Sequence, residues 1–598
     1  MGDRQGSLNI YFANLGSGSV NRLLPSDFLA VPEASARAQT GLFNNSDSPS
    51  SENVRLFEGM ATQRAGYTAL GSSPGAGLPS TGLFVANFGQ GQSFLVQAQA
   101  GGGIYRYSEG SGTWIDISGG VVFNATEDQP FTFTMAPRSG TQVANYMLVS
   151  SPGDYIYQWD GESDIELLNE DSAPREAHIL INFLSRAFAF NVTSPDTGDR
   201  YHSRVQRSVV GDSTDWLGLG SGFTDLEDDA FPIANVATIG GRLLILKGDY
   251  HGGAMYLATP TGNSVSPLRF DALNPDSGIG LLCPRTLIPL TPGTSAFFLG
   301  HDSAYLYGGG AEVVPFATKV TRDIISRVTA GAEVNAWANY NRHTQEIMIG
   351  VPVDGSSVVN EVWLLNTRSQ QASGPFDYAD TFVSTPIAGW TPENPLTWDA
   401  TNPWGQADPG VDAPRQWQTL VDDAAPGNEY LQWARVLDIT GRGDYKYVFG
   451  TAAGDIVTSD ASDADDDGTA IACTYYTPAI TPNGWLVPKS APSGAYIAPK
   501  PQRLRSDDIL VLRSVRLRLR GTGARTPVVE VSTDGGTVWT KISDDTAVTP
   551  TARITNKTYY CQIPASWHQI RVKNTTGDAF DLQGIEMELT YAGSERHE

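Results

Sequence analysis

Residues 297–310 read FFLGHDSAYLYGGG: two apolar runs around a short polar turn, the second run ending in glycines. Bulky apolar and aromatic residues suit a pleated, half-buried strand, and Gly, Asp and Ser supply the turn, so the segment predicts a β-hairpin. Similar text begins at Phe94, Tyr146, Arg242, Glu346 and Tyr447, with a weaker copy around Ile181. These starts fall near multiples of about 50 residues, a repeat length typical of propeller blades. The interval between Glu346 and Tyr447 is double.

A lone hairpin is marginally stable in water, so each copy needs neighbours to cover its apolar face. Radial repetition of small sheets supplies them and leaves only short edges. The pattern therefore predicts an all-β fold built on a β-propeller of roughly six to eight blades. A series of sandwiches is the alternative, since it also writes hairpins at regular spacing. Helix is expected only in short pieces, such as KVTRDIISRVTAGAEV from Lys319.

Five divisions follow. Residues 1–80 read as an irregular N-terminal or platform segment, with loop text such as NNSDSPSSEN and GSSPGAGLPSTG. Residues 81–388 carry blades. Residues 389–435 form an insertion with Trp390, Trp398, Trp404, Trp417 and Trp433 and six prolines, too many for a central sheet. Its tryptophans either pack a satellite core or anchor a partner. Residues 436–500 return to the propeller and end in a linker. Residues 501–598 change grammar. SVRLRLRG alternates Val515, Leu517 and Leu519 with Arg516, Arg518 and Arg520; VVEVSTDGGTVW is a hairpin, and IEMELTY alternates again. Roughly six strands in this stretch suggest a small β-sandwich. The arginine row reads as solvated or facing an acidic part of the same chain, with DNA contact as the other option.

With 598 residues, 40% of them apolar, the chain can bury a large core in more than one domain. No run reaches the roughly 18 apolar residues of a membrane helix, and the N-terminus lacks the basic start and apolar core of a secretory signal. Cys283, Cys473 and Cys561 match no metal spacing and read as reduced, buried thiols from a reducing cytosol. The net charge is −25. Residues 501–598 hold 13 basic and 12 acidic residues, leaving 27 and 53 in the rest, a net of −26. Such a surface repels nucleic acid rather than gripping its phosphates.

Candidate chemistry is sparse. Asp463, Asp465 and Asp467 precede Gly468 as in the start of a calcium loop, but Thr474 stands where the bidentate Glu belongs, so an acidic linker is the expected reading. STDGGTVW at 532–539 has the pattern of the Asp-box of sialidases and related propellers, a structural hairpin turn in that family; one copy supports a turn and little else. The seven histidines form no HExxH or other close pair, and no nucleophile elbow, P-loop or dinucleotide fingerprint is present. No catalytic, cofactor-binding or metal-ligating set is expected, and no enzymatic activity.

Several stretches in order do resemble one family. SGIGLLCPRTLIPL at 277–290 runs into the hairpin at 297–310, then VVPFATKVTRDI, WANYNRHTQEIMIGVP and NEVWLLN. This order resembles the tail nozzle (tubular tail, packaged-DNA stabilisation-type) proteins of short-tailed bacteriophages. Gly278, Gly280, Pro284, Arg285, Asp302 and Tyr305 match that family's pattern, with Thr286 for its Ser and Ser303-Ala304 for its Gly-Ile. Upstream, Asn53 and TQRAGY at 62–67 look like its Asn…Arg-Pro-Gly segment, with Ala65 for Pro. The resemblance spans most of residues 50–470. It implies a structural virion protein without turnover, assembled in the host cytoplasm into a ring, usually a homo-hexamer, at the distal end of the tail. A tail adaptor ring would lie above it and tail fibres or a host-surface receptor would be further partners. The ring would retain the packaged genome and conduct double-stranded DNA out without sequence-specific binding. Acidic lumen walls would let DNA slide, and TDLEDDAF at 224–231 is the candidate stretch. The rival functions are a sialidase-like glycoside-acting propeller enzyme and a propeller module binding a glycan or protein.

Overall fold

The computed structural model describes residues 7–13, 51–388, 447–480, 486–487, 502–503 and 508–594, with short breaks inside the longer ranges. Seven four-stranded antiparallel sheets follow one another at 80–116, 132–167, 176–225, 233–273, 288–316, 337–376 and 387–459. In the first six, every strand pairs with the next in sequence. The first strands of consecutive blades touch one another all the way round, and blade 7 returns to touch blade 1. The chain is a seven-bladed β-propeller. Between blades 5 and 6 lies one helix, Thr318–Arg327, within the stretch where a short helix is expected.

In six blades the second and third strands form the repeat seen in the sequence; in blade 3 the copy around Ile181 is the first and second strands, Glu176–Phe183 and Arg186–Thr193. In blade 4 the second and third strands are Arg242–Asp249 and Gly252–Pro260, and Leu243, Leu244, Ile245 and Leu246 are all fully buried. A strand covered on both faces has no polar side to write, so its text is continuously apolar. Aromatic pairs seal the blade interfaces. Phe84 of blade 1 stacks on Phe133 of blade 2 with ring centres 5.4 Å apart, and Trp337 of blade 6 meets Phe449 of blade 7 at 6.2 Å.

The segment 1–80 is not simply irregular: it supplies strands to both bodies. Thr68–Ala69 is the fourth strand of blade 7, pairing with Ile456–Ser459, so the wheel is closed by chain from upstream of blade 1. Ser51–Glu52, Val54–Phe57, Met60–Gln63 and Ser7–Ala13 join the C-terminal body. That body is a two-sheet sandwich. The six strands expected from the C-terminal sequence all form between 508 and 594. They are completed by the upstream strands and by Cys473–Tyr476. The inner faces interdigitate through Leu510, Leu512, Val515, Leu517, Met587 and Leu589 on one side and Val529, Val531, Ile570 and Val572 on the other. The Trp-rich insertion, 389–435, lies outside the described residues.

Candidate functional site

The sandwich meets the propeller at Asn53. Ser51–Glu52 pairs with Cys473–Tyr476 in one sheet, whereas Val54–Phe57 pairs with Met60–Gln63 in the other. The chain crosses between sheets at a single residue with a left-handed backbone, φ 57°. Asn tolerates this conformation better than most side chains because its amide bonds to nearby backbone. Here the Asn53 Nδ2 donates to the Ala472 carbonyl at 2.9 Å, and Oδ1 accepts from the Asp377 amide at 2.8 Å and from Arg64 Nε at 2.9 Å.

Arg64 continues the joint. Its guanidinium forks onto Asp466, Nη1 donating to Oδ1 at 2.8 Å and Nη2 to Oδ2, and Nη2 also donates to the Asp377 carbonyl. Tyr378 lies under the guanidinium, 3.9 Å from ring centre to Cζ. Asp466 in turn accepts from the Ala379 amide at 3.1 Å. Both charged side chains are nearly inaccessible, 2% and 4% exposed. Gly66 keeps the chain close, since a Cβ there would lie 1.8 Å from the Asp465 carbonyl oxygen. Two residues of the family-like pattern, Asn53 and Arg64, thus share one hydrogen bond at the boundary between the two bodies.

The downstream matching residues form a second joint, at the hub. Gly280 passes so close to Gly253 of blade 4 that a Cβ would meet its Cα at 2.2 Å. The Thr286 hydroxyl donates to the Cys283 carbonyl at 2.7 Å and accepts from the Leu299 amide at 3.1 Å. Arg285, at the start of blade 5, donates to the carbonyls of Val334 (2.9 Å) and Asn335 (2.8 Å) before blade 6 and of Val383 (2.8 Å) before blade 7. Burial lowers its pKa to about 10, so it stays charged at neutral pH. The Asn335 amide donates to Asp128 Oδ1 at 2.6 Å, and Asp128 precedes the first strand of blade 2. Blades 2 and 6 lie on opposite sides of a seven-bladed wheel, so this pair bridges the axis. Tyr305 donates its hydroxyl to Asp302 at 2.6 Å, pinning the turn of blade 5.

The other sequence candidates fall as follows. Asp463 lies outside the described residues. Asp465 and Asp467 belong to a tight hairpin, where Asp465 Oδ1 accepts from the Gly468 amide at 2.9 Å. It is the skipped Asp466 that points into the buried joint. Among the described residues no three His, Cys, Asp or Glu side chains gather as a metal site. In 224–231, Asp225 is spent on Arg204 at 2.7 Å and Asp229 on the buried Lys247 at 2.7 Å; only Glu227 and Asp228 are exposed acids. The arginine row does meet acid, but from the adjacent strand of its own sandwich: Arg516 pairs with Glu586 at 3.0 Å. The Asp-box is a turn whose polar atoms serve itself, with Asp534 Oδ1 accepting from Ser532 Oγ and from the Thr537 and Val538 amides. The three cysteines are free, Cys283 and Cys473 buried and Cys561 half-buried.

One pair of histidines shares an environment. His178 Nδ1 sits 3.2 Å from Arg200 Nη2, with His202 nearby. Burial, then the charges of Arg200 and His202, hold the His178 pKa down at about 3. A histidine depressed in the fold binds its proton only on unfolding. Its stabilisation is therefore complete above pH about 6.5 and declines below it, by up to about 1.4 kcal/mol per pH unit. We expect the urea midpoint of the wild type to fall between pH 7 and 4 more steeply than that of His178→Asn.

Neither the family models nor the curated proteins contain a match to this chain. Solved structures similar to it include BBS1N in complex with ARL6DN, at 10% identity and a TM-score of 0.35, covering 67% of this chain and 99% of that one. Another is the extracellular domain of the putative hybrid two-component system BT3049 from B. thetaiotaomicron, at 9% identity and a TM-score of 0.38, covering 87% of this chain and 57% of that one. Likeness at this level carries no argument about function, and the propeller rests on its own strand order. No helix among the described residues is long and apolar enough to cross a membrane.

Proposed function

We propose that the chain is a structural subunit of the distal ring, or nozzle, of a short bacteriophage tail. Six copies enclose a passage that retains the packaged genome and then conducts it out, beneath an adaptor ring and beside fibres or a host receptor. The protein is a mechanical part of the virion and catalyses nothing.

The observation that carries this reading is where the family-like residues lie. Asn53, Arg64, Gly280 and Arg285 occupy the joints between blades, hub and sandwich, Asp302 and Tyr305 pin a turn within blade 5, and the polar ones spend their polar atoms on the scaffold itself. A pattern kept for rigidity suits a part that bears load. Asp128 and Asn335 bridge the axis of the wheel, so a duplex has to pass between copies and not through one. The acidic excess favours a wall that repels phosphate over one that holds it. The Asp-box, the main support for a glycan-directed propeller, is consumed in its own turn.

Negative-stain electron microscopy of the purified protein, alone and with tail partners, tests the proposal. Rings with a central hole are the expected result. Particles that remain single under both conditions, from a protein absent from virions, would refute it.

A further inference from the structure

We propose that the wheel has an opening seam between blades 7 and 1, and that it parts there before any other pair of blades separates. The proposal concerns the propeller alone and is independent of the tail reading.

Apolar packing is thinnest at this seam. Among the described residues, the buried apolar side chains that join blade 7 to blade 1 are Leu70, Leu95, Tyr107, Val448 and Ile456. The seams between blades 2 and 3, 4 and 5, and 6 and 7 each hold eleven such side chains. The drive that holds two sheets together scales with the apolar area they withdraw from water, so five against eleven marks the weakest contact of the wheel.

Polar groups stand where the others have apolar ones. Gln97 and Gln99 lie two apart on the second strand of blade 1, Gln92–Gln99, and Ser80 opens its first strand, Ser80–Gly89. All three are at most 1% exposed. Gln97 Nε2 donates at 2.9 Å to the carbonyl of Gly454, in the turn between the blade 7 strands Tyr447–Gly450 and Ile456–Ser459. Gln97 Oε1, Gln99 Nε2 and Ser80 Oγ have no partner. They face the backbone of blade 7: a Cβ on Gly454 would lie 3.0 Å from Gln99 Nε2, and one on Gly450 2.6 Å from Ser80 Oγ. A buried polar atom without a partner recovers hydrogen bonds to water when the surfaces part, so each of the three favours the open seam.

The two sides are held better to their other neighbours than to each other. Tyr67, next to the closing strand, is buried among the side chains that join blades 6 and 7, and its hydroxyl donates to Asp380 at 2.8 Å. Arg285 ties blade 5 to the starts of blades 6 and 7. Blades 1 and 2 share thirteen buried apolar side chains. Across the seam itself run the bond from Gln97, one from the Ser80 amide to the Thr451 carbonyl at 3.1 Å, and one from Trp114 Nε1 to the Leu70 carbonyl at 3.3 Å. The chain between Ala69 and Ser80 tethers the parted blades, so the seam can close again.

Thiol labelling of the folded protein tests this, with single variants in a Cys561→Ser background where Cys283 and Cys473 are fully buried. Val448 of blade 7 faces blade 1, whereas Val457 of the same blade faces blade 6. Val448→Cys should label at least about tenfold faster than Val457→Cys, than Val149→Cys between blades 1 and 2, and than Val192→Cys between blades 2 and 3. Leu95→Cys, on the blade 1 side, should follow Val448→Cys and serves as its second probe. Ser80→Ala with Gln99→Leu removes two of the unpartnered atoms and should slow labelling at Val448→Cys by about tenfold, leaving Val457→Cys unchanged. Equal rates at Val448→Cys and Val457→Cys would mean that blade 7 unfolds as a whole and would overturn the proposal. So would faster labelling at any other seam, or labelling at Val448→Cys that Ser80→Ala with Gln99→Leu leaves unslowed.

Discussion

Replacing Arg64 by methionine will destabilise the protein by about 3–5 kcal/mol, the usual cost of leaving one partner of a buried ion pair alone. The figure belongs at the upper end because three things fail together. Asp466 keeps a charge that is 4% exposed with no cation to meet it. Asn53 loses the Nε donor at a position that already holds a left-handed backbone. The Asp377 carbonyl and the Tyr378 ring lose the guanidinium between them. Burial alone would lower the Arg64 pKa, but the hydrogen bonds and charge of Asp466 reverse this and leave it above the ordinary arginine value. Stabilisation from a raised basic group is lost only as pH climbs through that value, so the penalty will be the same from pH 6 to 9. Asp466→Leu added to Arg64→Met should recover part of the loss, because it removes the orphaned charge. Since these groups tie the sandwich to the segment after blade 6, the single variant should also unfold in two steps where the wild type unfolds in one. Urea titration followed separately by tryptophan fluorescence and by proteolysis reads both effects. A loss below about 1 kcal/mol, as for an exposed pair, would show that the joint is solvated.

The blades were legible because their second and third strands are covered on both faces. Phe297 and Phe298, or Ile347 and Ile349, are fully buried, so nothing polar interrupts the text. Many first and fourth strands, such as Ile288–Leu290 and Thr113–Asp116, are short or half-exposed and wrote no signal. Blade 3 reads weakly because its third strand, Arg200–Arg207, is largely polar and half-exposed, which leaves the copy around Ile181 to its first and second strands. The closing strand Thr68–Ala69 is two exposed residues long and pairs with a segment almost 400 positions away, which no local pattern can announce. The joints share that difficulty. Asn53 meets Ala472 and Arg64 meets Asp466 across most of the chain, and the spacing that drew attention to Asp465 and Asp467 passed over the residue between them. The Trp and Pro spacing that marks the insertion concerns residues outside the described ones.

Arg285→Met is expected to cost about 3 kcal/mol or more, and Arg285→Lys about 2 kcal/mol, from hydrogen bonds made by a charged donor to enclosed carbonyls. The guanidinium is a planar fork whose three nitrogens reach carbonyls at the starts of two different blades. A lysine supplies one nitrogen at the end of its stem and cannot span them, although its charge is retained. The loss will be local. Amide exchange should accelerate in Trp337–Asn341, the first strand of blade 6, and in the segment leading into blade 7, while Arg186–Thr193 of blade 3 stays protected. Asn335→Ala removes only the bridge to Asp128 and the bond to the Ser357 carbonyl, and should cost less than Arg285→Met. That ordering distinguishes a hub pinned by Arg285 from one pinned by the axial bridge; if Asn335→Ala is the more damaging change, the bridge is the stronger pin. Uniform acceleration of exchange in all seven blades would instead place the rigidity in the packing between blades.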